Sequence, residues 1–377
     1  MRVACISHGA IVPLNRRPLD LLATAHGIDI AVYLPQVWAG DLPSPSIEFR
    51  PTDGGALCCA LPARRSGNGS LFMLKGLGHA LRQLQPEIVL LDEEPWSLVA
   101  WQTLRAGLKV PFIVYSKQNI AKRLPPPFSW IRGATYRRAA SAWAVGETTA
   151  DVLRATGYRH DIAVVPHGVE IARFTPGTDD DRRRALGLKG TVIGYVGRLV
   201  EEKGIGDLIE AARRLAADAS LPEWTLLVVG AGPSGEDVHH AAHGMNGRIK
   251  LLPAVPHDEA PGLYRLMDIL VLPSRTAPAW REQFGRVLVE AAATALPIVA
   301  ADSGEIPYVM RALGGGGRVV PESMPSALAD ALRDLLCHAG LRKSVGEANL
   351  AAARRDFSQE AIATRMAGLL HRALERR

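Results

Sequence analysis

The sequence predicts an α/β protein built as two doubly wound parallel sheets in series. Three observations carry this. At 377 residues the chain is too long for one ordinary core and suits two domains of roughly 150 to 200 residues each. Short apolar runs alternate with longer amphipathic stretches, the pattern of strands covered on both faces by crossover helices. That alternation occurs twice, broken near "VVPHGVEIARFTPGTDDD" (164–181), where Pro, Gly and charge replace periodicity.

In the first half, "RVACIS" (2–7), "IDIAVYL" (28–34), "EIVLLD" (87–92), "PFIVYS" (111–116) and "SAWAVG" (141–146) read as buried strands, with helices expected over 68–84 and 95–107. In the second half the strands are "TVIGYVG" (191–197), "WTLLVVG" (224–230), "RIKLLP" (248–253), "DILVLPS" (268–274) and "PIVAAD" (297–302), each followed by a plausible helix. "PGTDDDRRRALGL" reads as an N-capped helix with acids early and basic residues after them. The expected boundaries are 1–168 for the first domain and 169–357 for the second, with 358–377 a last helix.

Composition narrows the class. A hydrophobic content of 47% and a mean hydropathy of +0.05 describe a globular chain. No apolar run approaches the roughly 18 to 20 residues a membrane span needs. The first apolar stretch is too short for a signal peptide, and four cysteines without ligand spacing suit a reducing cytoplasm. Charge is uneven: 18 Lys/Arg stand against 13 Asp/Glu in residues 1–170, and 26 against 25 in 171–377. A basic first half fits an anionic partner or membrane surface, and equally fits scattered surface charge.

Open α/β sheets bind ligands beyond the carboxyl ends of their strands, so two such domains facing each other would line a central cleft. The clearest loop in that position is "GYVGRLVEEKGIGDLIEAA". Arg198 and Lys203, five residues apart in a glycine-bearing loop, can converge on an anion. The plainer reading is an exposed loop neutralised by Glu201 and Glu202. A second such loop leads into "EQFGRVLVE" (282–290), where a helix is expected to begin near Phe284 or Gly285. Glycine at a helix start lets an anion reach free backbone N–H groups. Were the whole span helical, Glu282 and Glu290 would lie about 12 Å apart in rise and about 80° in rotation, a spacing suited to the sugar and the ribose on either side of a diphosphate. By spacing alone they are as well read as a solvated helix face.

In order, "VVPHGVEIARFTP", "GRLVEEKG", "VVGAGP", "LYRLMDILVLPS", the Glu–seven–Glu segment and "PIVAADSGEIP" resemble the signature of retaining glycosyltransferases of family four, which have the GT-B fold. The resemblance implies that the first domain binds the acceptor and the second the donor, that 358–377 cross back onto the first domain, and that Arg198 and Lys203 bind the donor diphosphate and stabilise the leaving group. It implies that Glu282 binds the donor sugar and Glu290 the ribose, with the backbone at Phe284 and Gly285 against the diphosphate and Gly9 leaving room in the cleft. Many relatives carry a histidine where this chain reads "SKQNIAK", so Gln118 or Asn119 becomes the substitute donor contact. Ala295 stands where relatives often have glycine, read as a packing variation.

Other features weigh towards structure. "DDD" (179–181) reads as helix capping and His239, His240 and His243 as a surface helix, so no metal site and no cofactor are expected. His167 is best read as structural. His8, Asp92, Glu93 and Glu94, just after strands, are acceptor-binding candidates, against helix-terminus charge complementarity as the alternative for the acids. Phe128, Trp130, Arg132, Arg137 and Arg138 form a basic-aromatic stretch suited to anionic lipid.

The expected activity is metal-independent transfer of a sugar, with retention, from a nucleotide-diphosphate sugar to a glycan, lipid-linked or small-molecule acceptor. The expected place is the cytoplasm, with peripheral contact to the inner membrane face. The competing readings are a GT-B-shaped nucleotide-sugar epimerase or hydrolase, and a basic nucleic-acid-binding module. No aromatic-basic platform is spread over a sheet, so no nucleic-acid partner is expected.

Overall fold

A computed structural model describes residues 1–39, 47–51, 55–315 and 317–375. The chain divides into two compact units, residues 1–167 with 359–377, and residues 168–358. The last two residues of the return segment, 376 and 377, lie outside the described residues.

The first unit holds a seven-stranded sheet of β1 (Arg2–Ile6), β2 (Asp29–Pro35), β3 (Leu57–Leu61), β4 (Ile88–Leu91), β5 (Phe112–Ser116), β6 (Ser141–Ala144) and β7 (Asp161–Val164). Its order is β7-β6-β5-β4-β1-β2-β3, parallel throughout, with the direction of winding reversing beside β1. Helices α1 (Pro13–Thr24), α2 (Leu77–Leu84), α3 (Leu98–Leu104), α4 (Phe128–Arg138) and α5 (Glu147–Ala155) connect the strands. The central strands β1 and β4 are buried almost throughout because both faces are covered, which is why they read as unbroken apolar runs. The two edge strands escaped the sequence reading. β3 and β7 are only partly covered; β3 is nonetheless an apolar run, Leu57–Leu61, that the sequence reading passed over.

The second unit holds β8 (Thr191–Val196), β9 (Trp224–Val229), β10 (Ile249–Leu252), β11 (Ile269–Leu272), β12 (Ile298–Ala301) and β13 (Gly317–Val320), in the parallel order β10-β9-β8-β11-β12-β13. Its helices are α6 (Asp180–Ala185), α7 (Ile205–Ala216), α8 (Gly235–Gly244), α9 (Ala260–Tyr264), α10 (Arg286–Ala293), α11 (Ile306–Ala312), α12 (Pro325–Cys337) and α13 (Ala339–Ala352). Ile193, Tyr195, Leu208, Trp224, Leu226, Val271 and Leu332 anchor one core cluster here, each buried aliphatic stabilising by about 1.5 to 3 kcal/mol. A final helix, α14 (Gln359–Glu375), belongs to the first unit and packs on α1; Arg365 donates there to the Val164 carbonyl at 3.2 Å.

Capping follows the local chemistry. Asp179 accepts from the Arg182 N–H at 3.0 Å at the start of α6, and the three histidines lie on α8. Two helices are shorter than their amphipathic pattern predicts. Over 68–84 only Leu77–Leu84 is helical: the Asn68 side chain takes the N–H groups of Ser70 and Leu71, and Met73–Leu74 pair with Ala63–Arg64. Over 95–107 the helix begins after Ser97, whose hydroxyl accepts from the Ala100 N–H at 3.2 Å. Ala295 is also corrected. It follows the C-cap of α10 at φ +60°, the left-handed position that terminates helices and favours glycine, so the departure is one of backbone rather than packing.

Candidate active site

β8 ends at Val196 and the chain leaves the second sheet through Gly197 and Arg198. The Tyr195 hydroxyl donates to the Arg198 carbonyl at 2.8 Å, fixing the backbone while the Arg198 side chain stays exposed. Lys203 closes a single 3-10 turn before α7. The loop following β11 is tied to this one. The Arg275 N–H donates to the Glu202 carbonyl at 2.8 Å, and the Arg275 guanidinium grips Asp207 of α7 through two bonds, one of them Nε to Oδ2 at 2.6 Å. The two loops are therefore held side by side.

This tie brings together residues far apart in sequence. Lys203 Nζ lies 2.6 Å from Glu282 Oε2, which also accepts from Ser274 Oγ at 2.9 Å. The lysine sits over the Trp280 ring, 5.0 Å from its centroid. Both partners of the pair are well covered, 15% and 9% exposed. The backbone of Glu282 is fixed in turn, because its carbonyl accepts from the Glu305 N–H at 3.0 Å. That approach needs glycine at 304: at φ +57° a Cβ there would fall 2.1 Å from the Glu282 carbonyl oxygen.

α10 begins where the sequence places it, with Gly285 at φ +76° as its N-cap and no side chain capping its first turn. The Leu288 N–H turns back onto the Gly285 carbonyl at 2.9 Å, and the positive end of the helix dipole at this start favours an anion. Phe284 is buried beside this start, its ring 6.3 Å from that of Phe357. Glu282 precedes the left-handed turn, so the fully helical 12 Å spacing does not describe the glutamate pair. Glu290, inside α10, is buried: its Oε2 accepts from the Tyr264 hydroxyl at 2.5 Å, and His257 Nδ1 stands 4.0 Å from Oε1. Burial first, and then Glu290 itself, push the Tyr264 hydroxyl well above its ordinary pKa, so it stays protonated and donates.

In the first unit the groups after β1, β4 and β5 form one network. His8 Nδ1 lies 2.8 and 2.7 Å from the two Glu93 oxygens, and the His8 N–H donates to Glu93 at 2.5 Å. The imidazole stacks on Trp38 at 4.4 Å. Ser7 Oγ donates to Asp92 at 2.6 Å, and Lys117 pairs with the other Asp92 oxygen. Glu94 is half-buried and accepts from Ser116 Oγ at 2.6 Å and the Lys117 N–H at 2.8 Å; desolvation raises its pKa above the ordinary carboxylate value. The three acids after β4 are thus engaged inside the unit, and His8, 34% exposed, is the more accessible member of its pair with Glu93. The Gln118 side-chain oxygen accepts from the Ile120 N–H at 3.2 Å, and Asn119 is buried. A Cβ at Gly9 would make only ordinary contacts, nearest at 3.7 Å.

Sequence reasoning brought Arg198, Lys203, Glu282, Phe284, Gly285 and Glu290 to the carboxyl side of the second sheet, where the structure places them. It missed Ser274, Arg275 and Trp280, whose signal was their place at the end of "LVLPS" and in the loop that follows it, and the pairing of Tyr264 and His257 with Glu290, which no local stretch announces. Among the described residues no three His, Cys, Asp or Glu cluster as metal ligands. No helix among them is long and apolar enough to cross a membrane. A cavity of about 500 Å³ in the first unit lies among Val110, Ser141, Ile162 and Arg372, at the amino ends of β5 to β7 and away from these groups.

Two parallel Rossmann-like sheets with charged loops at their carboxyl ends define a two-domain α/β protein of the GT-B class. The family described as Glycosyl transferases group 1 matches residues 190–338, and Glycosyltransferase Family 4 matches residues 14–173. A D-inositol 3-phosphate glycosyltransferase of Corynebacterium efficiens is 35% identical over 224 residues, 56% of this chain and 51% of the relative. A protein of the same name from Actinosynnema mirum is 29% identical over 295 residues, 74% of this chain and 68% of the relative. The chain's match thus spans about half the length of the first of these. Among solved structures, sucrose-phosphate synthase from Thermosynechococcus elongatus has a TM-score of 0.72 at 19% identity, covering 100% of both chains. Anabaena HepE in complex with UDP has a TM-score of 0.72 at 19% identity over 98% of this chain and 99% of that one. One glycosyltransferase family model thus matches each half of the chain, and together with the fold they support a GT4-like GT-B glycosyltransferase.

Proposed function

We propose that this chain is a retaining glycosyltransferase that moves a sugar from a nucleotide-diphosphate sugar to an acceptor hydroxyl without a metal ion. The observation that carries the reading is the meeting of Lys203, Glu282 and Ser274 beside exposed Arg198, ahead of the N-terminus of α10. Breaking the sugar–diphosphate bond leaves negative charge on the diphosphate and positive character on the sugar. Arg198, Lys203 and the first N–H groups of α10 meet the first; Glu282, released from Lys203 as the diphosphate takes the lysine, accepts hydroxyls of the sugar. Glu290 takes the ribose, and Phe284 and Gly285 give the diphosphate a close backbone approach. Attack comes from the same face as departure, and the leaving phosphate accepts the acceptor's proton, so no side-chain nucleophile is needed.

The first unit binds the acceptor, with His8 as its contact group, while Asp92, Glu93 and Glu94 hold His8 and Lys117 in place. Gly9 leaves space there, and Gln118 and Asn119 stand in for the histidine many relatives carry. The acceptor class is a glycan, a lipid-linked sugar or a small molecule. The name of the curated relatives makes inositol phosphate one acceptor to try. The enzyme works in the cytoplasm, with the basic-aromatic surface of α4 resting on anionic lipid at the inner membrane face.

A thermal-shift screen against UDP-, GDP-, ADP- and dTDP-sugars tests the donor site, since a bound donor stabilises by mass action. Failure of all four to raise the melting temperature contradicts the reading. With the stabilising donor in hand, Glu282→Ala is expected to lower turnover by about a hundredfold or more, and Glu290→Ala chiefly to raise KM. Full activity in Glu282→Ala removes its assigned role. Rapid change of sugar stereochemistry without an acceptor identifies an epimerase instead.

A further inference from the structure

We infer that Tyr264 is a positioning residue that orients the Glu290 carboxylate towards the donor ribose and sets a preference for ribose over deoxyribose. The inference rests on the ribose role proposed for Glu290.

Tyr264 ends the short helix α9, just ahead of β11, and is 1% exposed. Its ring is held edge-on by Phe174, with centroids 5.6 Å apart at 69°. From that fixed seat its hydroxyl donates to Glu290 Oε2 at 2.5 Å, within the range of a charge-assisted O–H···O⁻ bond. The phenol remains the donor, because burial and the neighbouring carboxylate both oppose its ionisation. Glu290 is thus fixed at two points, its backbone in α10 and one oxygen on Tyr264. Its other oxygen is placed differently: the imidazole of His257, at 4.0 Å, is too far for a hydrogen bond. His257 is itself set beside Phe174, with ring centroids 5.8 Å apart.

A carboxylate anchored through one oxygen presents the other in one direction. Two vicinal hydroxyls can share that acceptor edge, and a deoxyribose can offer only one of them. An unanchored carboxylate would turn to suit either ligand. An anchored one loses a hydrogen bond when the 2′-hydroxyl is absent, and a site built around a hydroxyl discriminates strongly against its loss. The tyrosine therefore acts on selectivity through Glu290 without touching the nucleotide.

The test measures binding of UDP, GDP and ADP and their 2′-deoxy counterparts by calorimetry, with turnover measured on the matching sugar donor. The wild-type protein is expected to favour its best ribonucleotide over the deoxy form by about tenfold or more. Tyr264→Phe is expected to erase most of that preference and raise KM with kcat nearly unchanged. Tyr264→His, which keeps a ring donor, is expected to recover part of it, and supplies the measurement if the phenylalanine variant is insoluble. A lower melting temperature with the preference intact would make the tyrosine merely structural and overturn the inference. If Glu290→Gln also keeps the full preference, the ribose role of Glu290 falls as well. No binding of any nucleotide to the wild type removes the donor reading and this inference together.

Discussion

Lys203 Nζ and Glu282 Oε2 stand 2.6 Å apart although 79 residues separate them in the chain. The pair is mostly covered and shares its acceptor oxygen with Ser274. In this arrangement each residue occupies the other's binding capacity, and on the proposed donor reading an arriving diphosphate would take the lysine from the glutamate.

Removing one partner should therefore cost more than removing both. Lys203→Ala takes the cation away from a covered carboxylate, and the expected loss is about 2 to 4 kcal/mol of stability. The double variant Lys203→Met with Glu282→Gln is expected to lie within about 1 kcal/mol of wild type while being inactive. Urea denaturation of the single and double variants measures the coupling. Additive losses would show that the pair is not energetically joined.

Glycine 304 is where a small change should disturb that pair from outside it. A methyl group there would meet the Glu282 carbonyl oxygen at 2.1 Å, at a positive φ that disfavours any side chain. Gly304→Ala is expected to lower stability by about 2 to 4 kcal/mol and to cut turnover, because Glu282 must shift to make room. A variant with wild-type melting temperature and turnover would mean that this close approach is not needed.

The parts legible in the sequence share one physical cause. Strands buried on both faces, such as Ile88–Leu91 and Ile269–Leu272, must be apolar throughout, so they announce themselves. Loops at their carboxyl ends can be located once the strands are known, which is how Arg198, Lys203 and Glu282 came into view. The edge strand Gly317–Val320, half exposed and carrying Arg318, gives no such signal, whereas Leu57–Leu61 is an apolar run that the sequence did offer. The partners of the site residues were illegible for another reason. The bond from Tyr264 to Glu290 joins the helices before and after β11, and that from Arg275 to Asp207 depends on which loops the sheet order places side by side. That order, β8 next to β11, is a property of the fold rather than of any local stretch.

Ala295 offers a stabilising change. It adopts φ +60° after the C-cap of α10, a conformation that costs an L-residue about 1 kcal/mol relative to glycine. Its carbonyl also lies against Gly346, where an added Cβ would fall 2.0 Å away, so the chain has little freedom to relax. Ala295→Gly is expected to gain up to about 1 kcal/mol, less the entropy glycine adds to the unfolded chain. A fall in melting temperature would show that the alanine side chain contributes more by packing than its backbone costs.

His8 gives the molecule a defined pH response. Burial opposes the charged ring, but the charge and hydrogen bonds of Glu93 outweigh it, and the pKa is raised above 6.5. Asp92 and Lys117, the next charges in the network, act in opposite directions and are paired with each other. Because the folded value lies above the unfolded one, the stability this pair adds is fully present below about pH 6.5 and is lost as pH rises through the folded pKa. In Glu93→Gln burial is left unopposed by a carboxylate, and the imidazole is expected to titrate below 6.5, removing that slope from the stability profile. Histidine resonances followed by NMR across pH 5 to 9 read the shift directly, and chemical denaturation at the same pH values reads the linked stability. A His8 titration unchanged by Glu93→Gln would mean that the carboxylate does not set its charge.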